Sequence, residues 1–219
     1  MKHVGVAIRG SEKHQNHVGI LYRNGEEIRF SHLQWHNRLR DDEVDESYLW
    51  GECGLFDGDD INGQVFAARL LAVKKNGGFV PYGFYSEGNA FSEDGHFQPF
   101  REPGMGLTCA TYVIQVFQSF GHNIAEIDKW EVRADDILWQ EGILKVVAEH
   151  VSPQRASEVA VYVGQIRIRP EEAAAAVLNA EPPISFEKAV QMAQDIQELI
   201  YGSKSANGET DPKTDNIVQ

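Results

Sequence analysis

Cysteine is scarce in this chain: 219 residues hold two, Cys53 and Cys109. Two thiols make neither a disulfide framework nor a four-cysteine zinc site, and they fit a reducing compartment, so a cytoplasmic location is expected. Long apolar runs are missing too. No stretch approaches the ~18 apolar residues that span a bilayer, and the opening MKHVGVAIRGSEKH lacks the apolar core of a secretion signal. Basic residues are outnumbered, 20 Lys and Arg against 33 Asp and Glu, for a net charge of −13. That balance argues against a nucleic acid or an anionic membrane as the main partner. No G-x-x-x-x-G-K-[S/T] loop exists, and Gly104 and Gly106 do not replace one, so no cofactor is expected. There is no internal repeat.

What is present suffices for one sizeable core, with 42% of residues apolar. His3 to Ile8 alternates as a short strand, a polar loop follows, and His17 to Tyr22 reads as a second strand. Asn24-Gly25 marks a hairpin, and Glu27 to Leu33 is the returning strand. A tight turn around 24–25 sets His17 directly opposite His32, or nearly so. Gln34 to Glu52 is polar and aromatic and reads as a loop or short helix, its acidic run from Asp41 to Glu46 as a solvated face. Asp59 to Lys75 has helical spacing through Ile61, Val65, Ala68, Leu71 and Ala72, with Asp59 or Asp60 as cap. Ser86 to Gly106 reads as a surface loop.

The stretch GLTCATYVIQVFQSFG, residues 106–121, then opens a helix at Cys109, with Val113, Val116, Phe117 and Phe120 on one face and Gly121 as the stop. Further helices are expected over 134–149, from Ser152-Pro153, over 170–178, and from Ser185 to about Tyr201, with a strand over 159–169.

The chemistry-bearing residues are Cys109, His17 and His32. A thiol at a helix N-terminus feels the positive end of the dipole, which favours thiolate, the nucleophilic form. An imidazole beside it supplies the base, and a third polar group holds that imidazole in register. His17 is the expected base and His32 the orienter, with Ser31, Gln34 and His36 as nearby substitutes. His14, His17, His32 and His36 also invite a zinc reading, but His14 and His36 sit in polar loops where a solvated histidine is ordinary, and no metal is expected. The acidic runs lack the spacing of a calcium loop.

These residues resemble the circularly permuted NlpC/P60 papain-like proteins, which include YiiX-like hydrolases and lecithin:retinol acyltransferase-like enzymes. His17-Val-Gly-Ile20 is similar to the strand that carries the family's base, His32 falls where its orienter belongs, and Leu107-Thr-Cys-Ala-Thr-Tyr-Val113 is similar to its cysteine helix. Pro81-Tyr82-Gly-Phe84 resembles a tyrosine segment upstream of the cysteine, which implies that Tyr82 helps polarise an oxyanion beside the Cys109 N–H. Ala110-Thr111 departs from the family's usual Ser-Glu.

The resemblance implies an α+β, papain-like fold over residues 1–125. Residues 126–202 would be a helical extension packed on that core or completing it, and 203–219 a disordered tail. The expected activity is a thiol-dependent hydrolase, a cysteine peptidase or amidase with a Cys-His-His triad and an acyl-enzyme, acting on a peptide, amide or acyl substrate. The alternatives are a lipid acyltransferase or thioesterase on the same fold, or an idle module that binds a protein partner through its C-terminal helices.

Overall fold

The structure, a computed structural model, describes residues 1–11 and 15–206, with the side chains of 203–206 excepted. It is α+β. Five antiparallel strands run β1 (Val4–Arg9), β2 (His17–Asn24), β3 (Glu27–Trp35), β4 (Arg38–Asp42) and β5 (Leu49–Glu52), in spatial order β4-β3-β2-β1-β5. Six helices follow: α1 (Asp60–Asn76), α2 (Cys109–Ser119), α3 (Ala134–His150), α4 (Pro153–Ala160), α5 (Pro170–Leu178) and α6 (Phe186–Ala206). No helix among the described residues is long and apolar enough to cross a membrane. The expected tail at 203–219 yields to α6 as far as Ala206, and the rest of it lies outside the described residues.

Alternation along β2 sorts its side chains between two environments. Val18, Ile20 and Tyr22 join the main core with Leu33, against α2 and its Val113, Val116 and Phe117. Leu21 points the other way, into a smaller cluster with Ala7 and Phe30, against which Tyr48 packs. Ser31 ties the sheet to α2 through a 2.6 Å hydrogen bond with the Tyr112 hydroxyl. Helix α5 is buried along its length and packs on β1, β2, β5 and α2. Its alanines, Ala173 to Ala176, are nearly inaccessible. Small side chains let this helix lie close to the sheet, so residues 170–178 are part of the core itself.

Three elements differ from expectation, one of them the strand expected at 159–169, whose first residues end α4 and whose remainder is not a strand. The segment 34–52 holds the strands β4 and β5 at the two sheet edges rather than a loop or helix. On α1 the buried stripe is Phe66, Ala67, Leu70 and Val73, leaving Ile61 and Val65 exposed. That helix carries two apolar stripes, and the one with the phenylalanine offers more area to bury.

Candidate active site

His17 opens β2 on the sheet face away from α2. Its register with β3 differs from expectation: the observed pairs, such as Ile20 with Ser31 and Leu21 with Phe30, follow a turn at Gly25-Glu26. His17 and His32 are therefore diagonal neighbours rather than direct opposites. A shift of two residues preserves the face, so the rings still meet, with centroids 4.8 Å apart. His17 Nε2 lies 2.7 Å from His32 Nδ1, and His32 Nε2 lies 3.1 Å from Asp42 Oδ2. The His32 ring lies flat on Phe30 at 4.4 Å, which fixes its plane.

Gly19 makes this packing possible. A Cβ there would fall 2.6 Å from His32 Cβ and 2.7 Å from the Ser31 carbonyl oxygen, which cannot move without breaking the ladder. Gly19→Ala is expected to cost about 2–3 kcal/mol of stability, as overpacking does. A denaturation midpoint unchanged from the wild type would show that the β2–β3 packing differs from this.

The carboxylate decides the tautomers. Burial raises the Asp42 carboxyl, but hydrogen bonds from His32 and Arg40 outweigh it and hold the group below its usual value, so it is ionised at neutral pH. Facing a carboxylate, His32 Nε2 must donate. Its Nδ1 is then the acceptor, His17 Nε2 the donor, and His17 Nδ1 is left with a free lone pair. Burial, with His32 and Arg9 nearby, pushes the His17 imidazole down to about 3. Burial also lowers His32 against the pull of Asp42. Both rings are neutral at physiological pH.

An unfolded histidine titrates near 6.5, so between pH 6.5 and 3 the unfolded chain takes up a proton that folded His17 refuses. Stability is thus complete above 6.5 and falls as pH drops, by at most about 1.4 kcal/mol per pH unit for each such ring. His17→Gln is expected to flatten the urea-derived stability profile between pH 6.5 and 5. An identical slope would mean that His17 is solvated.

Cys109 is the first residue of α2. Thr108 caps the helix: its side chain accepts from the Thr111 N–H, and the Thr111 hydroxyl accepts from the Thr108 N–H at 2.7 Å. The sulfur is thus held beside the N–H groups of Val18 and Ala110, and Val18 follows His17 directly. The expectation of a resting thiolate fails. Burial raises the thiol above its ordinary value, and those N–H groups with Arg167 offset this only in part. Desolvation wins over the helix terminus because the charged form has left bulk water. Among the described residues, no side-chain hydrogen bond joins the sulfur to the His17 ring.

Sulfur and imidazole both line one cavity of about 150 Å³, walled also by Trp35, Tyr82, Trp139 and Arg167. The Tyr82 segment runs beside the residues that lead into α2: the Leu107 N–H donates to the Pro81 carbonyl at 2.9 Å and the Gly106 N–H to that of Tyr85 at 2.8 Å. Gly106 allows the approach, since a Cβ there would lie 2.5 Å from the Pro81 oxygen. The Tyr82 ring lies against Trp35, tilted by 35° with centroids 4.6 Å apart, and the Tyr82 N–H donates to His36 Nδ1 at 3.2 Å, so His36 is a structural acceptor rather than a solvated loop residue. Arg155 from α4 donates to the Tyr82 and Met105 carbonyls at 2.7 and 2.8 Å, clamping the two segments together.

The structure therefore brings Cys109, His17 and Tyr82 to one cavity and sets His32 behind His17. Sequence reasoning missed Asp42, read as part of a solvated acidic face, along with Arg167 and Trp139. Asp41 is also engaged, accepting from the Tyr22 hydroxyl at 2.6 Å and from Arg29. Among the described residues no group of three or more His, Cys, Asp or Glu side chains is placed to hold a metal ion. His14 lies outside the described residues. Comparison with known proteins finds no matching family model, no matching curated protein and no matching solved structure.

Proposed function

We propose that this chain is a thiol-dependent hydrolase of the permuted NlpC/P60, papain-like kind, a peptidase or amidase with Cys109 as nucleophile. The observation that carries the reading is the relay Asp42–His32–His17, which leaves His17 Nδ1 with a free lone pair, on a residue that lines the same cavity as Cys109. The thiol and imidazole start neutral. As the sulfur attacks the carbonyl carbon, His17 takes the thiol proton. The Cys109 N–H, in the first helical turn where no i−4 carbonyl precedes it, and the Tyr82 hydroxyl are the donors for the developing oxyanion. His17 then returns the proton to the departing amine, and water attacks the acyl-enzyme with His17 again as base.

A second reading, thioesterase or acyl transfer, draws on the apolar side of a slot of about 100 Å³, with Phe84, Ile114, Ile127 and Ile166 facing a polar side of Ser86, Thr111, Gln115 and Gln118, that shares Ile168 with the cavity. Such walls suit an acyl chain. Both readings need an acyl-enzyme; an idle binding module forms none. With p-nitrophenyl acetate, the expected result is a burst of about one nitrophenolate per chain, an acetyl group on Cys109, and slower steady turnover. No burst and no acetylated Cys109 peptide would overturn the proposal.

A further inference from the structure

Arg167 is the one permanently charged side chain lining the cavity among the described residues. It stands in a chain of net charge −13. Its guanidinium is fixed from two sides. The plane lies over the Trp139 ring, 3.7 Å from the centroid. One terminal nitrogen, Nη1, donates to Asp136 Oδ1 at 2.8 Å, and the Asp136 side chain is almost fully buried. Asp136 is shared: Arg133 donates to its other oxygen at 2.5 Å and Arg169 to Oδ1 at 3.0 Å. Arg133 and Arg169 also pair with Glu172 and Asp135, so Arg167 holds Asp136 through one nitrogen alone. Among the described residues, no hydrogen bond occupies Nε or Nη2 of Arg167, and the guanidinium is near enough to favour the charged forms of both Cys109 and Tyr82.

We propose that Arg167 makes this site selective for substrates bearing a carboxylate close to the carbonyl under attack, and that it is the residue that binds that carboxylate. This assignment rests on Cys109 facing the cavity, as the proposed function also does. The open Nε and Nη2 edge of a guanidinium matches the two oxygens of a carboxylate. A phosphate dianion would need further donors, and no second cation lines the cavity among the described residues. The stack on Trp139 and the pair with Asp136 hold the fork before a ligand arrives, so little side-chain entropy is lost on binding. The rest of the wall near Arg167 is apolar, with Ile143, Ile168 and Pro170, which suits the hydrocarbon between the two polar groups of such a substrate.

Two alkylating agents of nearly equal size separate this from the catalytic claim, because neither requires turnover. Iodoacetate carries a carboxylate and iodoacetamide does not. In both, the sulfur–carbon bond forms as iodide leaves and the thiol proton passes to base. The rate ratio, iodoacetate over iodoacetamide, is followed on the Cys109 peptide by mass spectrometry and divided by the same ratio for glutathione. The expected normalised ratio is about 5 or more in the wild type, falling toward 1 in Arg167→Gln and with about 0.5 M salt. The salt arm and competition by acetate but not acetamide use the unaltered chain, so they decide the matter even if R167Q does not fold. A wild-type ratio at or below that of glutathione, or protection by acetamide equal to that by acetate, overturns the carboxylate assignment. It leaves the acyl-enzyme test untouched, just as a missing acyl-enzyme would leave this ratio readable.

Discussion

Replacing Cys109 by alanine is expected to remove turnover by a factor of at least about 10⁴, since the bond-forming atom is gone. The melting temperature should move by only about 3 °C. The stability side of this expectation comes from the local packing. The thiol is desolvated, but Cys109 as a residue keeps part of its surface exposed, and among the described residues its sulfur makes no side-chain hydrogen bond. Alanine is a good helix former, and the Thr108–Thr111 capping box, which holds the first turn, does not use the thiol. A loss of activity therefore reports chemistry and not unfolding. Retained turnover in a folded Cys109→Ala protein would end the nucleophile assignment. The other cysteine sharpens the contrast. Cys53 is buried in the core, with its thiol pushed up to about 12 by that burial, so its removal should lower stability while sparing activity.

How far the sequence revealed this site depended on which side chains do the packing. Strands β2 and β3 and helix α2 were legible because each buries an apolar face that repeats at the period of its element. Helix α5 was legible from its ends: proline at N1, two acids in the first turn, and Glu172 reaching back to the Arg169 N–H at 2.8 Å. The edge strands were not. Arg-Leu-Arg-Asp-Asp in β4 is charged because an edge strand exposes its flank, and charge there discourages pairing with other chains. Hiding β4 also hid Asp42, which reaches His32 only because β4 pairs with β3.

The expected strand at 159–169 failed for a different reason. Its first residues finish α4 and a turn. Beyond them the alternation is real: Ile166 and Ile168 pack on the core, while Arg167 and Arg169 pair with Asp136. No neighbouring strand supplies the ladder. Instead Gln140 donates to the Gln165 carbonyl and Arg133 to that of Arg167, each at 3.0 Å. Side chains from the start and middle of α3 stand in for a strand, a substitution that no local pattern announces. That arrangement puts Arg167 on the cavity, so the part of the chain with no recognisable motif shares the cavity wall with His17.

The relay behind His17 sets the remaining large effect. His17→Ala removes the base, and a loss of about 10³ in kcat is expected, in the range for general-base catalysis. Asp42→Asn should cost about 10² although Asp42 touches no substrate. The amide that replaces the carboxylate can present its NH2 to His32 Nε2, which makes that nitrogen the acceptor and moves its proton to Nδ1. His32 then donates to His17 Nε2, and the proton on His17 shifts to Nδ1, where the lone pair is needed. Because Asp42 is partly exposed, water competes for this role and keeps the effect below that of losing the base itself. A positioning role of this kind leaves KM largely unchanged and shows in the imidazole nitrogen-15 shifts: Nδ1 of His17 unprotonated in the wild type, protonated in D42N. The pH profile carries the same information. His17 is held down to about 3, so the acid limb of kcat/KM in the wild type should lie below pH 5, because the base stays unprotonated until well under its ordinary value of about 6.5. An acid limb at 6.5, or equal kcat in wild type and D42N with unmoved nitrogen shifts, would break the chain of hydrogen bonds on which the catalytic reading of His17 depends.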